Sequence, residues 1–244
     1  MPVAGVGGVR STIRPWRSSA LTPTDEDPRP RRNAGTPVPL GWPVRSRVGC
    51  PPVVPPIPQA FADVLEARRS IRVMRRAPLR ELVNALAFAT RPRALREGDV
   101  LMRSRRPSPS AGALHPIELV LVDWRGSQRV MRYDAFSHQL ELLTVADPEA
   151  LKGFIRACGD LLPEVQGTAL VLIGHASRVS AVYETAASLL WRDAGALTQT
   201  LFLTATAFRL AFCPLGILGH EVVRALGLPG DALATGAALM GRSP

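Results

Sequence analysis

Residues 130–144 read Val-Met-Arg-Tyr-Asp-Ala-Phe-Ser-His-Gln-Leu-Glu-Leu-Leu-Thr. Apolar and polar side chains alternate through Val130–Phe136 and again through Gln139–Thr144, the period of two that turns one face of a strand inward. Turn-forming residues lie between the runs, around Asp134–His138, so the stretch predicts a β-hairpin. Ile117–Asp123 (IELVLVD) upstream is an apolar strand run, and Thr168–Ile173 reads as a buried strand. Helical spacing covers Gln59–Ala67, Pro78–Thr90 (Pro78 suits a first turn), Pro148–Arg156, Tyr183–Leu210 and His220–Leu226. A short strand over Ala237–Gly241 closes the chain. Hairpin strands mixed with helices predict an α+β fold built on a central, mostly antiparallel sheet flanked by helices.

Working outward, the chain divides near Pro58. Residues 1–57 form a Pro/Arg-rich arm expected to be extended or partly disordered, because proline removes donors and disfavours helix. Gly5, Gly7 and Gly8 fall in this arm, but no strand precedes them, which argues against a dinucleotide-binding loop. Residues 58–244 form the expected globular domain, with Arg91–Pro109 an exposed basic loop inside it. The helix over Tyr183–Leu210 is apolar almost all round, with Gly195 its weak point. Such a helix has to be covered on every side, which points to a homodimer with this helix in the interface.

The net charge is +10, and Lys152 is the only lysine among 30 basic residues. A basic chain invites a nucleic-acid reading. Its arginines are scattered, however, aromatics make up only 5%, and no helix-turn-helix or zinc-finger pattern stands out, so that reading is disfavoured. Cys50, Cys158 and Cys213 are far apart and share no metal-ligand spacing, so no metal site is expected. An odd thiol count without a disulfide framework, and no secretory signal or membrane span, indicate a cytoplasmic protein. The apolar tract from Ala186 to Phe212 is broken by Arg192, Asp193, Gln199 and Arg209, as in a buried helix.

Three stretches carry candidate chemistry. Arg68-Arg69-Ser70-Ile71-Arg72 offers three guanidinium groups and a hydroxyl, a donor set that suits a phosphate monoester but equally a solvated charged face. Pro107–Pro116 (PSPSAGALHP) leads straight into the strand at Ile117; its small residues allow close approach to a flat ligand, and its hydroxyls and amides can bond a polar edge. His115 in that loop is a candidate contact to cofactor or substrate. Cys213-Pro214-Leu215-Gly216-Ile217, after the long helix, again offers amides and a glycine.

In this order the pieces resemble the nitroreductase superfamily of flavin-dependent oxidoreductases, over roughly residues 58–244. The family's R-x-S-x-R/K segment is matched by Arg68, Ser70 and Arg72, with Arg69 between. Its P-S-x-G-x-x-x-P loop is matched by Pro109, Ser110, Gly112 and Pro116. The Asp193–Leu201 stretch is similar to the central helix, and Pro214, Leu215 and Gly216 to the turn that follows it. The resemblance implies FMN as cofactor, with Arg68, Arg69, Ser70, Arg72 and a late basic residue, Arg242, at the phosphate. Pro109, Ser110, Gly112, His115, Pro214, Leu215 and Gly216 would then line the flavin.

The PSPSAGALHPIE loop followed by Tyr133, Asp134, His138, Leu140 and Glu141 resembles the SagB-type branch, which oxidises azolines to azoles in thiazole/oxazole-modified peptides. This implies a peptide or small-molecule substrate, other enzymes of a peptide-modifying complex as partners, and Tyr183 as the catalytic group. The branch carries a Lys-Tyr pair where this chain has Val182-Tyr183, and a tyrosine hydroxyl is a sluggish base without a charged neighbour. Two alternatives stay open, an NAD(P)H-dependent nitro or quinone reductase and a catalytically degenerate interaction subunit.

Overall fold

The computed structural model describes residues 26–244, so Gly5, Gly7 and Gly8 lie outside the described residues. In chain order come β1 (Arg29–Pro30), β2 (Val44–Gly49), α1 (Phe61–Ala67), α2 (Leu79–Thr90), β3 (Ala94–Leu95) and β4 (Ser104–Arg105). Then follow β5 (Ile117–Val122), β6 (Val130–Asp134), β7 (Gln139–Leu143), α3 (Pro148–Leu161), β8 (Thr168–His175) and α4 (Ala176–Ser180). The chain ends with β9 (Tyr183–Glu184), α5 (Ala187–Ala207), β10 (Leu210–Leu215), α6 (His220–Ala225) and β11 (Ala232–Arg242).

Seven strands make one sheet in the order β10-β11-β8-β5-β6-β7-β2, with every pair antiparallel. The hairpin read from residues 130–144 is β6–β7, with Tyr133 opposite Leu140 and His138 left-handed in the turn (φ +52°). Successive side chains of β5 and β8 go to opposite faces. Leu119, Leu121, Leu170 and Leu172 pack with Leu82 and Leu86 of α2 and Leu190, Leu197 and Leu201 of α5. Val120, Val122, Val171 and Ile173 pack with Phe154 and Cys158 of α3 and Val222 of α6. Both faces of these central strands are therefore covered, which is why their sequences are apolar throughout instead of alternating. Burying each such side chain stabilises the fold by about 1.5–3 kcal/mol. The sheet and its helix layers are those expected of the nitroreductase-like α+β architecture.

Several boundaries differ from the sequence reading. The long helix begins at Ala187, because Tyr183 and Glu184 pair with Arg29 and Pro30 and Thr185 turns left-handed (φ +52°). It ends where Arg209 is left-handed (φ +55°), and the chain enters β10 at once. Pro214 and Leu215 thus belong to a strand, not a turn; β10 is an edge strand, where a missing N–H is tolerated. Strand β11 has 11 residues instead of five, and the basic loop contains the β3–β4 pair. From the arm, β2 adds to the outer edge of β7, fixed by Arg47 Nε donating to Glu141 (2.9 Å). Helix α5 is buried along one side only, with Arg192, Gly195 and Gln199 exposed on the other. Among the described residues, no helix is long and apolar enough to cross a membrane.

Candidate active site

The Pro107–Pro116 loop reaches the N-terminal half of α5 and is tied there by a buried carboxylate. Asp193, only 7% exposed, accepts from the Ser110 hydroxyl (2.6 Å) and from the Ala111 amide (3.1 Å). Burial raises its pKa against the lowering effect of these two bonds. The Ser110 oxygen in turn accepts the His115 amide (2.8 Å). Between them the backbone is left-handed at Gly112 (φ +57°), Ala113 (φ +56°) and His115 (φ +46°). A left-handed non-glycine residue costs about 1 kcal/mol or more, so the Asp193 bonds hold a shape the loop would not keep alone.

The imidazole of His115 lies 2.7 Å from the Ser104 carbonyl through Nε2. A carbonyl only accepts, so Nε2 carries the proton and Nδ1 is left as an acceptor. Burial, and then the neighbouring Arg106, depress the His115 pKa to about 4, so the ring is neutral at pH 7. Burial also lowers Arg106 to about 10, still charged, with its guanidinium 4.6 Å over the Phe136 ring. These groups line one pocket together with Pro109, Thr90 and Leu197. Tyr183 stands against the same loop at Gly112: a Cβ built on Gly112 would stand 2.9 Å from the Tyr183 hydroxyl oxygen. A side chain at this position would be strained by the positive φ and would push on that hydroxyl.

The arginine segment stands elsewhere. The Arg68 guanidinium lies 4.8 Å over the ring of Phe202, and the Ile71 amide donates to Phe212 O (3.1 Å), pinning the segment to β10. Arg72 lowers the Cys213 pKa against the stronger effect of burial, which places it beside the strand that carries Pro214 and Leu215. Arg69, Ser70, Arg72 and Gly216 are exposed. Among the described residues, no carboxylate lies within ion-pair distance of Arg68, Arg69 or Arg72. Arg242 is committed differently. Its guanidinium makes two bonds to the Glu81 carboxylate, and its backbone pairs with Arg75 and lies across from Leu210.

The structure therefore gathers Pro109, Ser110, Gly112, His115 and Tyr183 at one place. It gathers Arg68 to Arg72 with Pro214, Leu215 and Gly216 at another, and Arg242 pairs by its backbone with Arg75, three residues beyond, while its guanidinium is bonded to Glu81. Asp193 and Phe202, the α5 anchors of the two places, are nine residues apart, which is about 13 Å along the axis and half a turn round it. One protomer presents the two sets on opposite sides of α5. The sequence reading did not select Asp193 and Arg106. The signal for Asp193 was a carboxylate on the core face of an apolar helix, which demands bonded partners. Arg106 was one of six arginines between Arg91 and Arg106, with nothing to single it out. Lys152 stands on α3, across the sheet from Tyr183 and paired with Glu149 (2.7 Å), so it is not beside Val182 and Tyr183.

The donor set fits a phosphorylated planar ligand. Unpaired guanidiniums and the Ser70 hydroxyl face solvent at one place. A Cβ on Gly216 would meet nothing within 4 Å, leaving its backbone open to approach. The pocket at the other place is walled by Pro109, Leu197 and the Ser110 loop.

The solved structures give an independent view. A candidate nitroreductase from Ralstonia eutropha superposes with a TM-score of 0.61 at 16% identity, covering 90% of this chain and 99% of that one. A candidate nitroreductase from Anabaena variabilis gives 0.58 at 21% identity, over 82% of this chain and 42% of that one. A chain of the Escherichia coli microcin synthetase McbBCD complex with truncated pro-MccB17 bound gives 0.52 at 20% identity, over 70% of this chain and 65% of that one. None of the curated proteins compared matches the sequence. The nitroreductase family model matches residues 65–242, from the helix before the arginine segment to the end of β11. With that match over most of its length, the chain belongs to the nitroreductase family of oxidoreductases.

Proposed function

We propose that the protein is an FMN-dependent dehydrogenase of the SagB type, oxidising azoline rings of a modified peptide to azoles in the cytoplasm. The observation that carries this reading is the Tyr183 hydroxyl set against Gly112 in the Ser110 loop. It places an O–H group at the loop that would hold a flavin. Arg68, Arg69, Ser70 and Arg72, with Pro214, Leu215 and Gly216 beside them, would hold FMN at its phosphate end. Pro109, Ser110, Gly112 and His115 would hold the ring end. The two sets stand on opposite sides of α5, so the reading requires a homodimer in which the second copy brings the Ser110 loop. The exposed side of α5 at Arg192, Gly195 and Gln199 is available for that contact. Arg242, bonded to Glu81, would join the phosphate set only by releasing that carboxylate.

Bound FMN supplies a two-electron acceptor for hydride. The rest of the chemistry falls to the chain. Aromatising an azoline also releases a proton, and Tyr183 is the side chain placed to take or relay it. The neutral His115 leaves Nδ1 as an acceptor on the same loop, while Asp193 keeps the loop in register. Pro109 and Leu197 limit water around it. Any further enzymes of a peptide-modifying complex would act before this step, forming the azoline.

The absorbance spectrum of the purified protein tests the cofactor, with bands of oxidised flavin expected. Anaerobic addition of an azoline-bearing peptide should then bleach those bands. Rapid bleaching by NAD(P)H, with none by the peptide, would instead assign a nitro or quinone reductase. A protein that binds flavin and responds to neither would be a flavin-holding interaction subunit.

A further inference from the structure

Beside the active-site pocket lies a second cavity of about 740 Å3, open to solvent. Its walls are Pro52 and Val53 of the arm, Pro92 and Leu95 of the basic segment, and Phe136 of the β6–β7 turn. The turn is held to the arm by His138, which accepts from the Tyr133 hydroxyl at Nδ1 (2.8 Å) and donates from Nε2 to the Pro51 carbonyl (2.6 Å). Phe136 also joins the two cavities, since Arg106 lies over its ring and lines the inner pocket.

Charge distinguishes this groove. Arg91 and Arg93 line it, and Arg96, Arg103, Arg105 and Arg106 follow within the same segment. Two acids, Glu97 and Asp99, accompany these six arginines, and among the described residues Arg103 alone has a carboxylate within ion-pair distance, Asp99 at 3.5 Å. Arg91 and Arg105 both depress the Arg93 pKa, second to desolvation, as expected of positive charges crowded without counter-ions. Leu95 is 54% exposed at the rim. A groove with aliphatic walls and unneutralised guanidiniums fits an extended chain that alternates apolar and carboxylate side chains. Of its two rings, Phe136 already carries Arg106 on one face and the His138 imidazole is bonded at both nitrogens, so the groove is poor in stacking platforms for bases.

We propose that this groove docks an acidic, extended peptide segment and leads it to the Arg106 pocket. The proposal rests on the reading of the substrate as a peptide and narrows that substrate to an acidic one. Groove and pocket meet at Phe136, so a segment bound across Arg91 and Arg93 is delivered to the side where Ser110, His115 and Tyr183 stand.

The test is fluorescence anisotropy on the full chain, as purified and supplied with FMN. The probes are a short labelled peptide alternating Glu and Val, the same peptide with Gln for Glu, and a short oligothymidine. The Glu peptide should bind at least about tenfold tighter than the Gln peptide, and Arg91→Gln with Arg93→Gln should weaken it about tenfold. Arg45→Gln with Arg156→Gln removes the same charge from β2 and α3 and should leave binding within about twofold. Equal losses from the two double variants would reduce the effect to net charge and overturn the proposal. Equal binding of the Gln peptide, or tighter binding of the oligonucleotide, would also overturn it. Melting temperatures show that both variants fold. Flavin absorbance is read in the same samples, so a protein without flavin refutes the proposed function while the peptide titration still decides the groove.

Discussion

The two places that α5 brings into being are opposites in how their polar groups are satisfied. At the Ser110 loop, donors and acceptors are matched inside the chain: Asp193 answers Ser110 and Ala111, Ser110 answers His115, and Ser104 answers His115 again. At the Arg68 segment three cations and a hydroxyl stand without counter-charges among the described residues. A closed hydrogen-bond network fixes shape, whereas an open set of charges stores affinity for something not yet bound. The first place therefore governs geometry and stability, and the second governs what is held.

The largest expected effect tests whether the closed network carries chemistry as well as shape. Tyr183→Phe should lower turnover of an azoline peptide about 100-fold or more, with flavin content and melting temperature unchanged. Unchanged turnover would reduce Tyr183 to a packing residue against Gly112. Next comes the anchor of the network. Asp193→Ala leaves the Ser110 hydroxyl and Ala111 amide unanswered and should cost about 3 kcal/mol in urea unfolding. An equal loss from Arg68→Ala would erase the distinction between the two places.

Arg68→Ala should instead weaken FMN by about 10- to 100-fold, the worth of one charge-assisted contact, measured by flavin fluorescence on dilution. The flavin-free variant should melt where the parent does. The smallest effect is on pH dependence and concerns the closed place alone. His115 titrates at about 4 in the folded chain but at the ordinary 6.5 when unfolded, so the unfolded state binds more protons between those values. Stability should fall as pH drops from about 6.5 to about 4 and then level off. Between pH 7 and pH 5 the parent should lose about 2 kcal/mol more than His115→Asn. Parallel pH profiles would show that the ring charges as easily in the fold as outside it.

The parts of this fold that were legible in the sequence are those with a strong local period. The hairpin over residues 130–144 is specified by its side-chain alternation, the buried strand at 168 by its short apolar run, and helix α2 by its helical spacing. Strand β10 was hidden because Leu210–Leu215 continues the apolar run of α5, and the break falls on one residue, Arg209, in a conformation no residue type announces. Strand β2 was hidden because its side chains are mostly exposed and what orders it is pairing with β7, with Arg47 bonded to Glu141, 94 positions away. The site divided in the same way. Arg68 to Arg72 and Ser110 to His115 could be found as local clusters. Their attachment to opposite sides of α5 could not, since it depends on which turn of the helix each loop reaches.

Pairing of β1 with β9 has a consequence for the order of events in folding. The Arg31 amide donates to Val182 O (2.8 Å), the Gly35 amide to Ala181 O (2.7 Å), and Arg31 reaches Glu184 across 153 positions. A chain made from its N-terminus has this strap ready first, yet the strap finds its place only after the residues around Tyr183 have emerged. Closing so long a loop is slow, so the contacts that hold Tyr183 form later than those within the helices and the β6–β7 hairpin. A chain cut at residue 58 would keep the helices, the β6–β7 hairpin and the pocket, but Tyr183 would lose the segment that restrains its backbone.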